Sequence, residues 1–408
     1  MRSGDPQTEP SLAEIAREWG RIGCIGFGGP PAHVALLREL CVERRRWLTE
    51  PQFERAIAAT NLLPGPASTQ LAIYCAWRLR GRAGAVLGGL CFVLPGLLLI
   101  LALSALFLQG SPPGWLRGAG AGAGAAVAAV AVRAGLGVAA PIWRRAGAGR
   151  RLRVLAYGLA GASAAALAGP WLVLVLLACG AAELADRQLA RGDVGPQLWS
   201  LPVSWPLMRP AAHRVARSLH APLLAAGNDP GGTGALVWTA LKVGALAFGG
   251  GFVIVPLMQS DAVGTYHWMT HEQFLNAVAL GQVTPGPVTQ TVAAVGYSAA
   301  GLAGGLLAAG VAFAPSFSFV LLGAGRFERM LVNERVRAFL GGAAPCAAGA
   351  IVGAAVPLSA ALSEAWQFAV LAAAAVALLV LRRGVVPTLL VAGCAGTAGA
   401  LLGAPIPR

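Results

Sequence analysis

Apolar stretches of membrane-spanning length alternate with short charged clusters along the chain. Mostly apolar runs occupy 86–108, 116–141, 154–182, 302–323 and 339–361. About 20 apolar residues cross a hydrocarbon core, so each run predicts at least one transmembrane helix, and 154–182 can be split at Gly169-Pro170. Two segments depart from this pattern. Residues 11–46 read as helix broken at Gly28-Gly29-Pro30-Pro31, and 51–77 as two short arms joined at Pro64-Gly65-Pro66. An arm of about a dozen residues covers about 18 Å, which is short of a full crossing. Arginines at both ends of 51–77 predict a re-entrant hairpin that turns near the midplane, and the first break reads as a similar one.

The same breaks recur. Phe27-Gly28-Gly29-Pro30 returns as Phe248-Gly249-Gly250-Gly251, and Pro64-Gly65-Pro66 as Pro285-Gly286-Pro287, both at a shift of 221 residues. That shift also pairs Arg21 with Lys242, Trp47 with Trp268, Thr49 with Thr270, Gln52 with Gln273 and Phe53 with Phe274. The chain is an internal duplication. The predicted organisation is a first repeat at 1–183, a linker at 184–233 rich in Pro, Arg and His, and a second repeat at 234–408.

Loop charge then sets orientation. The cluster Arg38, Arg44, Arg45, Arg46 matches 259–267, which contains no Arg or Lys, and the neutral loop at 107–116 matches one carrying Arg326, Arg329, Arg335 and Arg337. Similar sequence with swapped basic loops predicts two inverted-topology repeats. The linker is basic as well (Arg187, Arg191, Arg209, Arg214, Arg217), which fits less easily, although long loops follow the charge rule poorly.

Composition agrees: 56% of the 408 residues are hydrophobic and 12% are charged, with 55 glycines. The net charge of +14 lies in short clusters between spans, without a continuous basic face or interleaved aromatics. It reads as loop charge rather than as a nucleic-acid surface. Residues 1–10 read as a polar tail, and no basic-then-apolar leader predicts a cleaved signal peptide. The seven cysteines are scattered, and His33, His213, His220, His267 and His271 form no metal pattern. There is no phosphate loop, nucleophile elbow or HExxH, so the sequence calls for no cofactor and no enzymatic activity.

The candidate chemistry sits at the breaks. A helix broken inside a membrane exposes backbone groups, which is tolerated where the backbone lines a cavity or is buried in protein. Helix N-termini suit anions, and paired breaks in inverted halves point to a transporter's substrate site. The blander reading is that these glycines only let helices cross closely. Arg21 and Lys242 precede their breaks by less than two turns and suggest attraction of an anion, the alternative being side chains that snorkel to a helix end. Asn61, Ser68, Thr69 and Gln70, then Gln282, Thr284, Thr289 and Gln290, could hydrogen-bond an oxyanion or serve as caps and interhelical bonds. Arg133 is a lone charge within an apolar run: it pairs with a carboxylate, lines a pathway or touches substrate. The glycine–alanine run at 118–124 reads as a close-packing surface.

At these residues the sequence resembles the chromate ion transporter family in its long, two-domain form. The resemblance is carried by Phe27-Gly28-Gly29-Pro30 and Asn61-Leu62-Leu63-Pro64-Gly65-Pro66. It extends to Phe248-Gly249-Gly250-Gly251 and Gln282-Val283-Thr284-Pro285-Gly286-Pro287, with Gly251 in place of Pro30. It covers both halves and leaves the linker and the ends of each half less distinctive. It implies export of chromate from the cytoplasm across the inner membrane, driven by an ion gradient and conferring chromate resistance. Sulfate, a similar tetrahedral dianion, is the natural competitor.

The expectation is therefore an all-α polytopic protein of the inner (plasma) membrane with an oxyanion bound between the broken helices. Its surroundings are the lipid bilayer and no nucleic acid, and a homodimer is compatible with the sequence. The rival readings are a transporter of another oxyanion such as sulfate, a passive anion channel, and a membrane-embedded enzyme.

Overall fold

The computed structural model describes residues 10–61, 63, 65–108, 112–167, 172–189, 231–247, 252–323 and 333–407, and every regular element among them is helical. Helix α1 (Leu12–Ile25) starts on a capping box in which the Ser11 amide donates to the Glu14 carboxylate at 2.8 Å. It stops at Gly26, and α2 (Pro30–Arg38) begins directly on a proline, whose missing N–H costs nothing in a first turn. A wide π-turn, Glu39–Arg44, follows. Helix α3 (Glu50–Thr60) has its own capping box, the Thr49 amide donating to Gln52 at 2.9 Å.

Helix α4 (Ala67–Leu108) doubles back at Arg80-Gly81, where Gly81 takes a φ of 56°. Its two arms close so tightly that a Cβ on Gly84 would strike the Ala76 carbonyl. Thus α3, the turn around Gly65 and the first arm of α4 form the short hairpin expected for 51–77, and the second arm is a full-length helix. The cluster Arg78–Arg82 is the reversal itself rather than an open loop. Helices α5 (Gly114–Arg145), α6 (Ala148–Leu167) and α7 (Leu172–Leu189) complete the half. The apolar run 154–182 is thereby two helices.

The second half repeats this order. Helix α8 (Thr233–Leu246) is followed by α9 (Ile254–Gln259), a π-turn at Ser260–Thr265, and α10 (His271–Val283) behind the Thr270–Gln273 capping box. Even the left-handed residues ending the π-turns correspond, Arg46 with φ 53° and His267 with φ 51°. The 3-10 turn Val288–Gln290 leads into α11 (Thr291–Gly323), which reverses at Ala300-Gly301. This reversal lies 220 rather than 221 residues from its counterpart, because nothing in the second half matches Ala67. Thr289-Gln290 therefore corresponds to Thr69-Gln70. Helices α12 (Glu334–Gly353), α13 (Ala355–Ala360), α14 (Ala365–Ala375) and α15 (Val385–Leu401) follow.

The halves interlock instead of lying side by side. Helix α5 packs along α14 and α15 of the second half, while α12 packs along α6 and α7 of the first. The glycine–alanine run explains the first contact: Gly118 and Gly122 press on Gly396 and the Ala392 carbonyl with no room for a Cβ. The second arm of α4 runs antiparallel to its counterpart in α11, since Gly89 seats the Phe317 ring while Leu101, a dozen residues further on, meets Gly305. Equivalent helices that pack antiparallel are related by an axis lying across them. In a membrane such helices cross in opposite directions, which is the inverted arrangement the loop charges anticipate.

Among the described residues, four segments are long and apolar enough to cross a membrane: Ala67–Leu108, Gly114–Arg145, Val288–Gly323 and Glu334–Ala360. Leu90, Leu94 and Leu98 stand exposed one turn apart on α4, a stripe suited to lipid rather than water.

Candidate functional site

The two Pro-Gly-Pro turns reach across the molecule, each into the other half. Both glycines need the left-handed region, Gly65 with φ 116° and Gly286 with φ 100°. Gly65 packs against the Gly244 carbonyl, near the end of α8, and against the Ser316 hydroxyl on α11. Gly286 does the reciprocal thing. Its amide donates to the Gly26 carbonyl at 2.9 Å, where α1 ends, and Pro285 lies on Gly96 of α4 with no space between. Gly244 is the repeat counterpart of Gly23, and Ser316 that of Gly96. Each turn is thus gripped by the other half's first broken helix and proline-bearing long helix. Pro95 and Pro315 cannot donate to the carbonyl one turn earlier, which opens both long helices at the grip.

The residues behind the turns are polar and sealed from solvent. Thr69, Thr289 and Ser316 are fully buried, and their hydroxyl oxygens have no hydrogen-bond partner. Gln290 donates its amide to the Val93 carbonyl at 2.8 Å across the interface, yet its own oxygen is unpartnered. Gln70 is buried at the matching place. Buried polar groups are nearly always paired, so unpaired ones behind each turn call for a bound partner. Helix N-termini lie at the turns too, α4 starting just after Pro66 and α2 just after Gly29, which has Val288 as a neighbour across the interface.

The remaining sequence candidates are placed less uniformly. Gln282 is buried with its amide nitrogen unpaired, while Thr284 donates to the Leu280 carbonyl of its own helix at 2.9 Å. Asn61 and Phe27 are exposed, as are Arg21 and Gly28. Lys242 is bonded to Asp261 at 2.5 Å, and its ammonium lies 5.7 Å from the Trp238 ring centre. Asp261 also accepts from Thr239 at 2.9 Å. Positions two apart on a helix diverge by about 200°, so Lys242 points away from the face on which Gly244 meets Gly65. The first half joins the same two elements with the polarity reversed, Glu18 on α1 binding Arg44 and Arg45 at 2.5 and 2.8 Å. Arg133 donates to the carbonyls of Leu378 and Arg383 at a helix end, a favourable place for a cation. Pro64 and Phe248, Gly249, Gly250 and Gly251 lie outside the described residues.

Sequence reasoning missed Gly26, Gly96, Gly244, Ser316 and Asp261. Ser316 could have been found by allowing the repeat to slip by one residue after Pro287, which aligns Pro315-Ser316 with Pro95-Gly96.

The family model described as Chromate transporter matches residues 13–184 and 234–400. A chromate transport protein of Cupriavidus metallidurans is 33% identical over 96% of this chain and 94% of its own length. One from Pseudomonas aeruginosa is 31% identical over 84% of this chain and 79% of its own, and a probable chromate transport protein of Synechococcus elongatus is 28% identical over 85% and 84%. No solved structure matches the chain. With both halves matched, and with the long apolar helices of a membrane protein, the chain belongs to the chromate transporter family.

Proposed function

We propose that this protein is a secondary transporter that exports chromate from the cytoplasm across the inner membrane, its repeats at 1–183 and 234–408 joined by 184–233. The observation that carries the reading is the reciprocal grip of the two Pro-Gly-Pro turns, with unpaired buried hydroxyls and an amide oxygen behind them. A tetrahedral oxyanion binds there, accepting from Thr69, Thr289 and Ser316 and from the free N–H groups of the helix starts. Hydroxyl donors to a charged acceptor are worth about 1.5–3 kcal/mol each. Several together hold a dianion without a permanent cation touching it. Lys242 reaches the anion only by leaving Asp261, and Arg21 adds positive charge on the outer side of its helix.

Alternating access follows from the interlocked packing. The second turn is tied to the opposite half by hydrogen bonds from Gly286 to Gly26 and from Gln290 to Val93, and a rocking motion that breaks them releases this grip while the other holds. Flux of labelled chromate into vesicles containing the purified chain, with sulfate as competitor and with or without a proton gradient, tests this. Gradient-driven accumulation is expected. Flux that only equilibrates would mean a channel, and no flux would end the transport reading.

A further inference from the structure

His33 lies at the grip and has no role in the reading above. It is fully buried on α2, and its Nε2 sits 2.8 Å from the Gly26 carbonyl, the same oxygen that accepts from Gly286 of the other half. A carbonyl can only accept, so Nε2 carries the hydrogen and the neutral ring keeps a bare lone pair on Nδ1. That nitrogen is buried and has no partner. The ring is fixed edge-on against Phe92, with centroids 5.0 Å apart. The second half has Ile254 at the matching place, so this kind of break forms without an imidazole.

We propose that His33 Nδ1 takes up a proton when a doubly charged oxyanion occupies the site between the turns, so that anion and proton cross together. The proposal rests on the transport reading. A protonated ring in this dry place needs a negative charge close by. The protein supplies none among the described residues. On α2, Arg38 is held by Glu50 and Glu54; on α1, Glu18 is held by Arg44 and Arg45, and Arg21 is exposed. Beside Phe92, α4 offers only the Cys91 thiol, and 284–290 carries no ionisable group. The ligand itself is the missing charge, and histidine is the side chain that changes state near neutral pH.

The balance is simple. A proton from water forms an N–H bond at Nδ1 as the dianion enters, and the same bond breaks as the dianion leaves, with no electron transferred. The unit that crosses then carries one negative charge, which a potential negative inside still drives outward.

The test uses the full chain in vesicles with chromate as the probe and a pH-reporting dye inside, at mildly alkaline pH where the free anion carries no proton. Wild type should move one proton with each chromate. In His33→Gln, whose amide can still donate to Gly26, proton movement should fall to that of protein-free vesicles, so that whatever chromate flux is left runs without protons. Chromate flux without protons in wild type, or undiminished proton flux in His33→Gln, would overturn the inference and leave the transport reading standing. No chromate flux in wild type would overturn both. Should His33→Gln fail to insert, chromate added to the purified wild type in weak buffer should raise the pH, and no rise would overturn the proposal.

Discussion

Replacing Thr289 with valine separates a binding role from a packing role, because the two predict opposite signs. Valine matches threonine in shape and lacks the hydroxyl. Thr289 Oγ1 is fully buried and unpartnered, so the folded empty protein already bears the cost of desolvating it, about 1–3 kcal/mol. Removing it should leave the unliganded protein as stable as wild type or more stable, by up to that amount. Binding should suffer instead. A hydrogen bond to a charged acceptor is worth about 1.5–3 kcal/mol, which corresponds to roughly 10- to 150-fold weaker chromate binding. The assay is thermal unfolding of the purified chain with and without chromate, beside flux in vesicles. Thr289→Val should unfold no earlier than wild type without ligand, lose most of its stabilisation by chromate and show reduced flux. Unchanged flux with lowered stability would refute the reasoning, since that is how a structural hydroxyl behaves.

Gly96→Ala places a methyl where Pro285 and Gln290 now lie, and overpacking of this kind costs about 1–3 kcal/mol. Flux should fall sharply, whereas Gly137→Ala, on open space in α5, should transport like wild type and unfold no earlier. Lys242→Ala leaves Asp261 as an unpaired buried carboxylate, a loss of about 3–5 kcal/mol, and should abolish export. Lys242→Met combined with Asp261→Leu should recover stability in an unfolding assay without recovering flux. If the double variant exports chromate normally, Lys242 has no part in transport.

Much of the fold was legible because membrane constraints leave strong marks. Apolar runs, paired Gly and Pro breaks and swapped loop charges are local or periodic, so the repeat and its inversion could be read from residues such as Phe27, Pro64 and Arg45. The interlocking was not legible. Which helix Gly118 presses on, or that Gly286 lands on Gly26, depends on contacts far apart in the chain, and glycine looks the same wherever it packs. Lys242 illustrates a second limit: its distance from the break is plain in the sequence, but its direction depends on Asp261, whose counterpart is Leu40. Ser316 was hidden by a single missing residue in the repeat.

A site shared by the two turns requires two halves that cross the membrane in opposite directions. Single cysteines in place of Arg45 and Thr265, at equivalent π-turns, can be labelled with an impermeant reagent in a chain whose own seven cysteines are replaced. Labelling of the two positions from opposite sides of the membrane is the predicted result. Labelling of both from one side would contradict the inversion, and with it the site between the two turns.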